Sequence, residues 1–232
     1  MKHYVVTGAG SGIGQAVADR LHRRGDALHL LASSPESAER VARRYHGARV
    51  LVADLAAPAT LADVVAEARL PDRIDGLVHV AGVLRLGPVA SLGVADWQAS
   101  VMVNLAAPAE LTRLLLPRLR HSDGHVVFVN SGSGLRTQPE WGAYSASKFG
   151  LRALADALRD EEAPTGLRVT TVYPGRTATP MQESVHRHEG RAYEPGRWIE
   201  PDTVAGAVLT ALDLPGDAEI SDITVRVRPV HG

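Results

Sequence analysis

The amino-acid sequence predicts an α/β protein with a doubly wound, mostly parallel sheet of about seven strands and helices on both faces. Short apolar segments alternate with helical patterns along all 232 residues, which is the order expected for a parallel sheet. The segments are apolar without interruption, as strands buried on both faces require. The first of them runs directly into a glycine-rich turn. A closed eightfold barrel is the competing topology, but the chain length and the opening turn favour the open sheet.

Seven segments have the length and composition of buried strands, and helical patterns lie between them. The strands are predicted at residues 3–7, 27–31, 49–53, 76–80, 126–131, 168–173 and 223–227. Helices are predicted after the glycine turn, over about 94–120, from Tyr144 to about Glu162, and from Pro201 onwards. Residues 180–200 are polar and contain Gly and Pro, so an irregular lid or an ordered insert is expected there. Because no linker-like shift in composition occurs, residues 1–232 are expected to form a single domain.

The bulk composition excludes several classes of protein. Hydrophobic residues make up 45% and charged residues 22% of the chain, which is ordinary for a soluble globular protein. The formal net charge of -1 gives no general attraction to nucleic acid or to an anionic membrane. There are no cysteines, which excludes disulfides and thiol nucleophiles and suits the reducing cytoplasm. No apolar run approaches ~18 residues and the first strand begins at once, so neither a transmembrane helix nor a signal peptide is expected.

A glycine-rich turn joins the first strand to the first helix. Gly8, Gly12 and Gly14 have the spacing GxxxGxG, whereas the strict GxGxxG spacing is not present. Glycines let a backbone turn tightly and approach a pyrophosphate, and the N-terminus of the following helix supplies amide donors. Such turns also serve plain packing of a strand against a helix. Because a strand precedes this turn and a helix follows it, we expect a Rossmann-like dinucleotide site.

The end of the second strand bears on the choice of dinucleotide. A carboxylate that binds the ribose 2′-hydroxyl of NAD is expected there, and the chain has Ala-Ser-Ser-Pro instead. The hydroxyls of Ser33 and Ser34 can donate hydrogen bonds to a 2′-phosphate. Arg40, Arg43 and Arg44 on the next helix either add positive charge or form a solvated face. The sequence therefore favours NADP(H), with NAD(H) as the alternative.

Asp54 follows the third predicted strand, at the edge of the sheet where ligands bind in this kind of fold. Its carboxylate is expected to accept a hydrogen bond from the adenine amine. The alternative is that Asp54 caps the helix that follows.

Tyr144 and Lys148 are four residues apart at the start of a predicted helix, so they lie on one face with Cβ atoms about 5–6 Å apart. A free tyrosine has a pKa of about 10, and a nearby ammonium lowers that pKa toward the range useful for proton transfer. Ser131 stands at the carboxyl end of the fifth strand. If strand and helix are neighbours, its hydroxyl meets the Tyr144 phenol over one substrate oxygen. Tyr144 and Lys148 alone would also fit the surface of a solvated helix, so the assignment of a catalytic pair depends on the other motifs of the chain.

Taken together, these residues resemble the short-chain dehydrogenase/reductase family over nearly the whole chain. The matching segments, in chain order, are Thr7-Gly8-x-x-x-Gly12-Ile13-Gly14, Asp54-Leu55, Asn104, Ser131, Tyr144-x-x-x-Lys148, and Pro174-Gly175 followed by Thr179. Ser131 precedes Tyr144 by thirteen positions, which is the spacing that the family uses. The order and spacing of the motifs carry the resemblance.

The resemblance implies a catalytic set and a cofactor site. Ser131 would orient the substrate oxygen and Tyr144 would pass the proton. Lys148 would lower the tyrosine pKa and hold the nicotinamide ribose, and Asn104 would anchor a water that relays protons to solvent. The implied cofactor contacts are Gly8, Ser11, Gly12, Ile13, Gly14, Ser33, Ser34, Asp54, Leu55, Ala81, Gly82, Tyr144, Lys148, Pro174, Gly175, Thr177 and Thr179. The implied reaction is NAD(P)(H)-dependent hydride transfer between a ketone or aldehyde and an alcohol.

Two positions depart from the family pattern. The family often has Asn-Asn-Ala-Gly where this chain has His79-Val80-Ala81-Gly82. The strand-stabilising asparagine is therefore missing, and the sequence leaves open whether His79 replaces it. Many NADP(H)-dependent members carry a basic residue just before the second glycine, where this chain has Ser11.

Other functions fit parts of the sequence less well. A catalytically inactive regulatory or structural protein that binds a dinucleotide on the same fold has no need of Ser131 and Tyr144. Epimerases and dehydratases of this fold are usually longer at the C-terminal end. The hydrolase elbow G-x-S-x-G is incomplete around Ser133. His186 and His188 form an H-x-H pair without a third ligand, so they are expected to be solvated loop residues, and no metal site is predicted.

The expected substrate is a small carbonyl compound or alcohol with a hydrophobic body. The predicted wall of its pocket is apolar and aromatic and consists of Val83, Leu84, Leu135, Trp141, Met181, Tyr193 and Trp198. Arg187 and Arg191 either bind an acid group or face solvent. The resemblance also implies a homodimer or homotetramer with the Asn104 and Tyr144 helices at an interface, whereas no nucleic-acid or membrane partner is expected.

Overall fold

Seven strands form one parallel sheet in the computed structural model, which describes residues 1–228. They are β1 (His3–Thr7), β2 (Ala27–Ala32), β3 (Arg49–Val52), β4 (Gly76–His79), β5 (His125–Val129), β6 (Arg168–Pro174) and β7 (Asp222–Val225). Every pair of neighbours is parallel, and the strand order is β3-β2-β1-β4-β5-β6-β7. The predicted fold class and the predicted number of strands are therefore confirmed.

Helices connect the strands and cover both faces of the sheet. They are α1 (Gly12–Arg23), α2 (Pro35–Arg44), α3 (Leu61–Glu67), α4 (Val94–Val101), α5 (Ala107–Arg120), α6 (Gly142–Glu162), α7 (Pro180–His188) and α8 (Pro201–Leu212). On one face, Leu115 of α5 and Leu151 of α6 belong to a buried apolar layer. On the other face, Leu21 of α1 and Val208 of α8 belong to a second layer. Burial of these two layers away from water stabilises the fold.

The strand order creates a crevice at the carboxyl ends of the strands. The chain leaves β1 for β2 and β3 on one side and then returns to add β4 on the other side of β1. The connections therefore diverge after β1 and β4, whose register pairs Val5 with Leu77. In open parallel sheets, ligands bind at such a switch point.

The helix predicted over about 94–120 contains a change of winding. A π-helical turn, Met102–Ala106, joins α4 to α5. Such turns add a residue to one turn of an α-helix and are frequent at functional sites; here the turn carries the buried Asn104. By length and composition alone, 94–120 passes as a membrane span, but Leu111 and Leu119 on its inner face belong to the core of the sheet.

Residues 180–200 contain a helix where the sequence predicted irregular structure. The Thr179 hydroxyl accepts a hydrogen bond from the Gln182 backbone N–H at the start of α7, and Pro180 occupies its first turn. Gly190, with φ +65°, follows its end. Thr177 pairs with Ile199 as a parallel bridge. The prediction of irregular structure was wrong because this Pro and this Gly delimit a helix instead of interrupting one.

Candidate active site

The glycine turn after β1 is packed so tightly that side chains do not fit. Gly8 has φ +75°, and a Cβ on it would lie 2.9 Å from the backbone nitrogen of Ala81. A Cβ on Gly14 would lie 2.6 Å from the carbonyl carbon of Gly8 and closer still to its oxygen. Gly12 has φ +53°, and a Cβ there would lie 2.9 Å from Cγ2 of Thr179. All three glycines are therefore needed for the backbone geometry of the turn.

Thr7 fixes the neighbouring wall of the crevice. Its hydroxyl oxygen accepts hydrogen bonds from the backbone N–H groups of Val80 (3.0 Å) and Ala81 (3.1 Å). It thereby ties the end of β1 to the segment after β4. His79 does not take this part, because its ring is buried, pairs with the Thr112 hydroxyl at 2.9 Å and stacks on Phe128. Burial lowers the pKa of His79 to about 3, so its ring is neutral.

The two serines predicted to bind a 2′-phosphate have different surroundings. Ser34 is the N-cap of α2, and its oxygen accepts a hydrogen bond from the Ser37 backbone N–H at 3.2 Å. Ser34 caps α2 and is not among the residues that line the crevice, and its role as a phosphate contact stays a prediction. Ser33 is exposed and lines the crevice together with Ser37 and Arg40.

The three arginines of α2 also differ from one another. Arg43 lies 3.6 Å from Glu39, and Arg44 lies 2.7 Å from Asp19. Arg40 lines the crevice and has no carboxylate within salt-bridge distance in the described part of the chain. The solvated-face alternative therefore applies to Arg43, whereas Arg40 supplies a positive charge at the edge of the crevice.

Asp54 lines the crevice beyond β3. Its carboxylate accepts a hydrogen bond from the Ala56 backbone N–H at 2.9 Å and so closes a tight turn. The alternative role as a helix cap was wrong, because the next helical turn begins at Pro58. The carboxylate is exposed and keeps further acceptor sites for a ligand.

Ser131 and Tyr144 come together because the turn after β5 packs closely on α6. Ser131 opens the short helical turn Gly132–Gly134, and its oxygen accepts a hydrogen bond from the Ser133 backbone N–H at 3.1 Å. A Cβ on Gly134 would lie 2.9 Å from the carbonyl oxygen of Lys148. Glycine at this position therefore permits the close approach of turn and helix, which brings the Ser131 hydroxyl near enough to the Tyr144 phenol to lower its pKa.

The electrostatics of this cluster differ from the prediction. Burial raises the pKa of Tyr144, and the nearby Ser131 hydroxyl opposes that rise. The Lys148 ammonium donates to the Val129 carbonyl at 3.2 Å and lies 5.8 Å from the centre of the Tyr144 ring. Burial also lowers the pKa of Lys148 to about 8. The direction is therefore opposite to the predicted one, because the loss of water on burial raises the pKa of Tyr144.

Asn104 joins the π-helical turn to the crevice wall and to α6. Its side-chain nitrogen donates to the Val83 carbonyl at 2.9 Å and to the Ser147 hydroxyl at 3.0 Å. Its side-chain oxygen accepts from the Val83 backbone N–H at 2.8 Å. The buried amide thus holds the segment after Gly82 in place. Its predicted role as an anchor for a water stays a prediction.

A single crevice of about 1060 Å³ contains most of the predicted site residues. Those that line it are Gly8, Ser11, Gly12, Ile13, Gly14, Ser33, Asp54, Leu55, Ala81, Gly82, Ser131, Tyr144, Lys148, Pro174, Gly175, Thr177 and Thr179. Ser34 and Asn104 are the predicted residues outside this wall. Of the predicted apolar wall, Val83, Leu84, Trp141 and Met181 line the crevice, whereas Leu135, Tyr193 and Trp198 do not.

Several polar residues of the wall were missed by the sequence reasoning. They are Ser37, Arg136, Thr137, Gln138, Arg176 and Gln182. Arg136 and its two neighbours follow Ser131 closely in sequence, and this proximity is a signal that could have found them. Arg187 and Arg191 have side chains that are 74% and 73% exposed, so the solvent-facing alternative holds for both.

The two histidines of the H-x-H pair have unlike environments. His186 is buried and makes edge contacts with the rings of Tyr193 and Trp198. His188 pairs with a carboxylate oxygen of Glu140 at 2.9 Å. The expectation of solvated loop residues was therefore wrong for His186, because α7 turns it inward. Residues 1–228 contain no group of three or more side chains that could hold a metal ion.

Comparison with known proteins identifies the family. The family model of short chain dehydrogenases matches residues 2–190, so the chain belongs to that family and is an oxidoreductase. An uncharacterized oxidoreductase of Staphylococcus aureus (strain USA300) is 30% identical over 228 residues, which cover 96% of this chain and 95% of that protein.

Solved structures agree with this assignment. Alcohol dehydrogenase from the archaeon Thermococcus sibiricus, complexed with 5-hydroxy-NADP, has a TM-score of 0.85 and 27% identity, with 100% of both chains covered. A variant of actinorhodin polyketide ketoreductase with NADPH has a TM-score of 0.89 and 26% identity, with 97% of this chain and 96% of that chain covered. The predicted family is confirmed.

Proposed function

We propose that this oxidoreductase interconverts a carbonyl group and an alcohol with a nicotinamide dinucleotide, and that Tyr144 is its general acid and base. The observation that carries the proposal is that Ser131, Tyr144 and Lys148 line the same crevice as the glycine turn. The two solved relatives are an alcohol dehydrogenase and a ketoreductase, each with a form of NADP. Their names support the same class of reaction here.

The glycine turn fits a dinucleotide. The positions of Gly8, Gly12 and Gly14 exclude side chains, so the backbone itself faces the crevice at the N-terminus of α1. Backbone amides and a helix N-terminus are suited to a pyrophosphate. At the other end, Gly175 and Thr177 line the crevice and would hold the nicotinamide, as the family resemblance implies. A bound dihydronicotinamide supplies the hydride.

Burial of the phenol favours its role as a proton donor. Because burial raises the pKa of Tyr144, the phenol is protonated at neutral pH, which is the form needed to protonate the product oxygen during reduction. Ser131, in contact with the phenol, can donate a hydrogen bond to the same substrate oxygen. In the oxidising direction Tyr144 must accept a proton, so higher pH favours that direction.

We further propose a preference for NADP(H). Ser33, Ser37 and Arg40 line the crevice after β2, where NAD-dependent proteins carry a carboxylate. The guanidinium of Arg40 has no carboxylate within salt-bridge distance among residues 1–228, and it can bind a phosphate through two parallel hydrogen bonds. A 2′-phosphate is therefore compatible with this end of the crevice.

Titration of the protein with NADPH and with NADH tests this preference. We expect NADPH to bind at least tenfold more tightly, which corresponds to about 1.4 kcal/mol. Arg40→Gln is expected to weaken NADPH binding by about 10- to 100-fold, the range for a charge-assisted hydrogen bond, and to leave NADH binding nearly unchanged. Arg43→Gln on the same helix is the control. Equal loss in both variants, or tighter binding of NADH to the wild-type protein, would contradict the assignment.

Tyr144→Phe tests the chemistry. Turnover of a carbonyl panel should fall by about 10² to 10⁴, the usual contribution of a general acid or base, while the Kd for the dinucleotide stays nearly the same. Tyr193→Phe, outside the crevice wall, is the matched control. Near-normal turnover in Tyr144→Phe would refute the mechanism. A wild-type protein that binds the dinucleotide but reduces no carbonyl would favour the inactive binding protein.

The proposal also includes a homodimer or homotetramer. Phe149 of α6 and Val94 of α4 are 42% and 72% exposed, so both helices present apolar side chains to solvent. These are the helices for which the family resemblance implies an interface. Light scattering at micromolar concentration should give a dimeric or tetrameric mass, and a monomeric mass would count against this part of the proposal.

A further inference from the structure

Beyond the residues assigned to the cofactor and to proton transfer, part of the crevice wall combines apolar side chains with polar ones and contains Arg136. We call this wall the substrate arm and define it by Val83, Leu84, Arg136, Gln138, Trp141, Met181 and Gln182, all of which line the crevice. Trp141 makes an edge contact with the Tyr144 ring, with centroids 5.8 Å apart, so the arm adjoins the proposed proton donor. Apolar side chains together with a small number of polar groups are the usual lining of a small-molecule site.

Most charged residues of the crevice already have a partner or a position that explains them. Arg40 and Asp54 belong to the nucleotide end, after β2 and β3. Lys148 is buried against the Val129 carbonyl. Arg176 forms two hydrogen bonds with the Glu189 carboxylate, one of them 3.0 Å long. Arg136 remains as the charged residue of the substrate arm.

The carboxylates nearest to the arm in sequence are bound to other groups. Glu140, on the same loop as Arg136, pairs with His188 at 2.9 Å. Glu183 of α7 lies 3.6 Å from Arg187, and Glu189 holds Arg176. Within residues 1–228, no carboxylate lies within salt-bridge distance of Arg136. The substrate arm therefore carries a positive charge that the protein itself does not neutralise.

The backbone places Arg136 in the same short loop as Ser131. The Arg136 N–H donates to the Gly132 carbonyl at 3.1 Å, which makes Arg136 part of the turn that Ser131 opens. A substrate whose oxygen is bound at Ser131 is therefore held by the loop that also carries the guanidinium. Arg136 is exposed and lines the crevice, and guanidinium groups bind carboxylates through two parallel hydrogen bonds.

We propose that Arg136 binds a carboxylate of the substrate, and that the preferred substrates are oxo acids, or the matching hydroxy acids, with an apolar body. This inference rests on the proposed function, because it names the substrate class of the same site. Arg136 acts as a specificity-determining residue and takes no part in the transfer of hydride or proton.

The test compares two substrates with the same carbon chain, one with a carboxylate and one with the uncharged methyl ester. We would measure kcat/KM with NADPH for 6-oxoheptanoate and for its methyl ester, using the wild-type protein, Arg136→Gln and Arg187→Gln. The wild-type protein should prefer the acid, and Arg136→Gln should lower the acid-to-ester ratio by about 10- to 100-fold. Arg187→Gln removes the same charge from α7 outside the crevice wall and should keep the wild-type ratio.

Binding of the product supplies a readout that does not depend on turnover. Calorimetry of 6-hydroxyheptanoate added to the protein with NADPH, a pair between which no hydride can be transferred, should give a Kd that rises about 10- to 100-fold in Arg136→Gln and stays constant in Arg187→Gln. Loss of acid binding in Arg136→Gln without any carbonyl turnover in the wild-type protein would uphold the anion site and refute the proposed reaction. An unchanged acid-to-ester ratio in Arg136→Gln, or equal acid binding by both variants, would overturn the inference.

Discussion

Gly14 offers the sharpest test of the close packing in the cofactor turn. A Cβ at this position would lie 2.6 Å from the carbonyl carbon of Gly8, whereas ordinary contacts begin at 3.4 Å. The obstacle is backbone and not the end of a flexible side chain, so in Gly14→Ala the turn must shift by roughly 1 Å. Overpacking of this kind costs about 1–3 kcal/mol, and contact with backbone favours the upper half of that range.

The substitution also brings a gain, which reduces the expected loss. Gly14 lies in the first turn of α1, where alanine is favoured over glycine by up to about 1 kcal/mol. The net destabilisation of Gly14→Ala is therefore about 1–2 kcal/mol. In a domain of this size, each kcal/mol lowers Tm by about 2–4 °C, so a decrease of roughly 2–8 °C is expected.

Thermal unfolding without cofactor measures the effect, and Gly10→Ala is the matched control. Gly10 belongs to the same turn, but the nearest atom to a Cβ there is Cγ2 of Val41 at 3.9 Å. The Gly10→Ala protein should unfold within about 2 °C of the wild type, because surface changes of this kind stay near 0.5 kcal/mol. If Gly14→Ala melts at or above the wild-type temperature, the packing argument for this turn is wrong.

Two further predictions concern the stability of the fold. Thr7→Val keeps the shape of the side chain but removes the acceptor of two backbone hydrogen bonds. The free energy of unfolding, measured by denaturant titration, should therefore fall by about 1–3 kcal/mol. Thr210→Val, on the exposed face of α8, is the control and should change this free energy little. Burial lowers the pKa values of His29 to about 4 and of His79 and His125 to about 3, below the unfolded value of about 6.5. The unfolded chain therefore binds more protons below pH 6.5, and stability should be lost as pH falls from about 6.5 toward 3–4, with a slope of up to about 1.4 kcal/mol per pH unit for each histidine. Denaturant titrations across this range should show a smaller slope for His79→Asn, and an unchanged slope would contradict the assignment of the neutral ring.

Features that depend on backbone periodicity were accessible from the sequence. The seven strands and the helices between them follow from alternation of apolar segments, and the resulting order puts Ser131 and Tyr144 at one edge of the sheet. The segment 180–200 was missed because its helix is short and carries few apolar side chains, and its cap at Thr179 decides the outcome. The π-helical turn around Asn104 also has no periodic signal, since it changes the winding over a few residues only.

Features that depend on which of several possible contacts a side chain makes in the folded structure could not be predicted from the sequence. Ser34 and Ser33 are adjacent and alike in sequence, yet one hydroxyl caps α2 and the other faces the crevice. The pKa of Tyr144 was predicted from its distance to Lys148 along a helix, but the balance depends on how much water burial removes from both groups. That balance belongs to the packed structure and leaves no mark on the spacing of the two residues.

Because most charged side chains pair with one another in the folded chain, the arginines that remain unpaired at the crevice indicate where an anionic ligand can bind. A fold that pairs Arg44 with Asp19 and Arg176 with Glu189 leaves Arg40 and Arg136 without a carboxylate within salt-bridge distance in the described chain. Both side chains are exposed and line the crevice, so an anionic group of a ligand that enters the crevice can pair with them. With one such arginine at the nucleotide end and one in the substrate arm, the crevice is suited to two anionic ligands that meet at the Tyr144 phenol. The two arginine substitutions should therefore act separately: Arg40→Gln on the dinucleotide and Arg136→Gln on the acid.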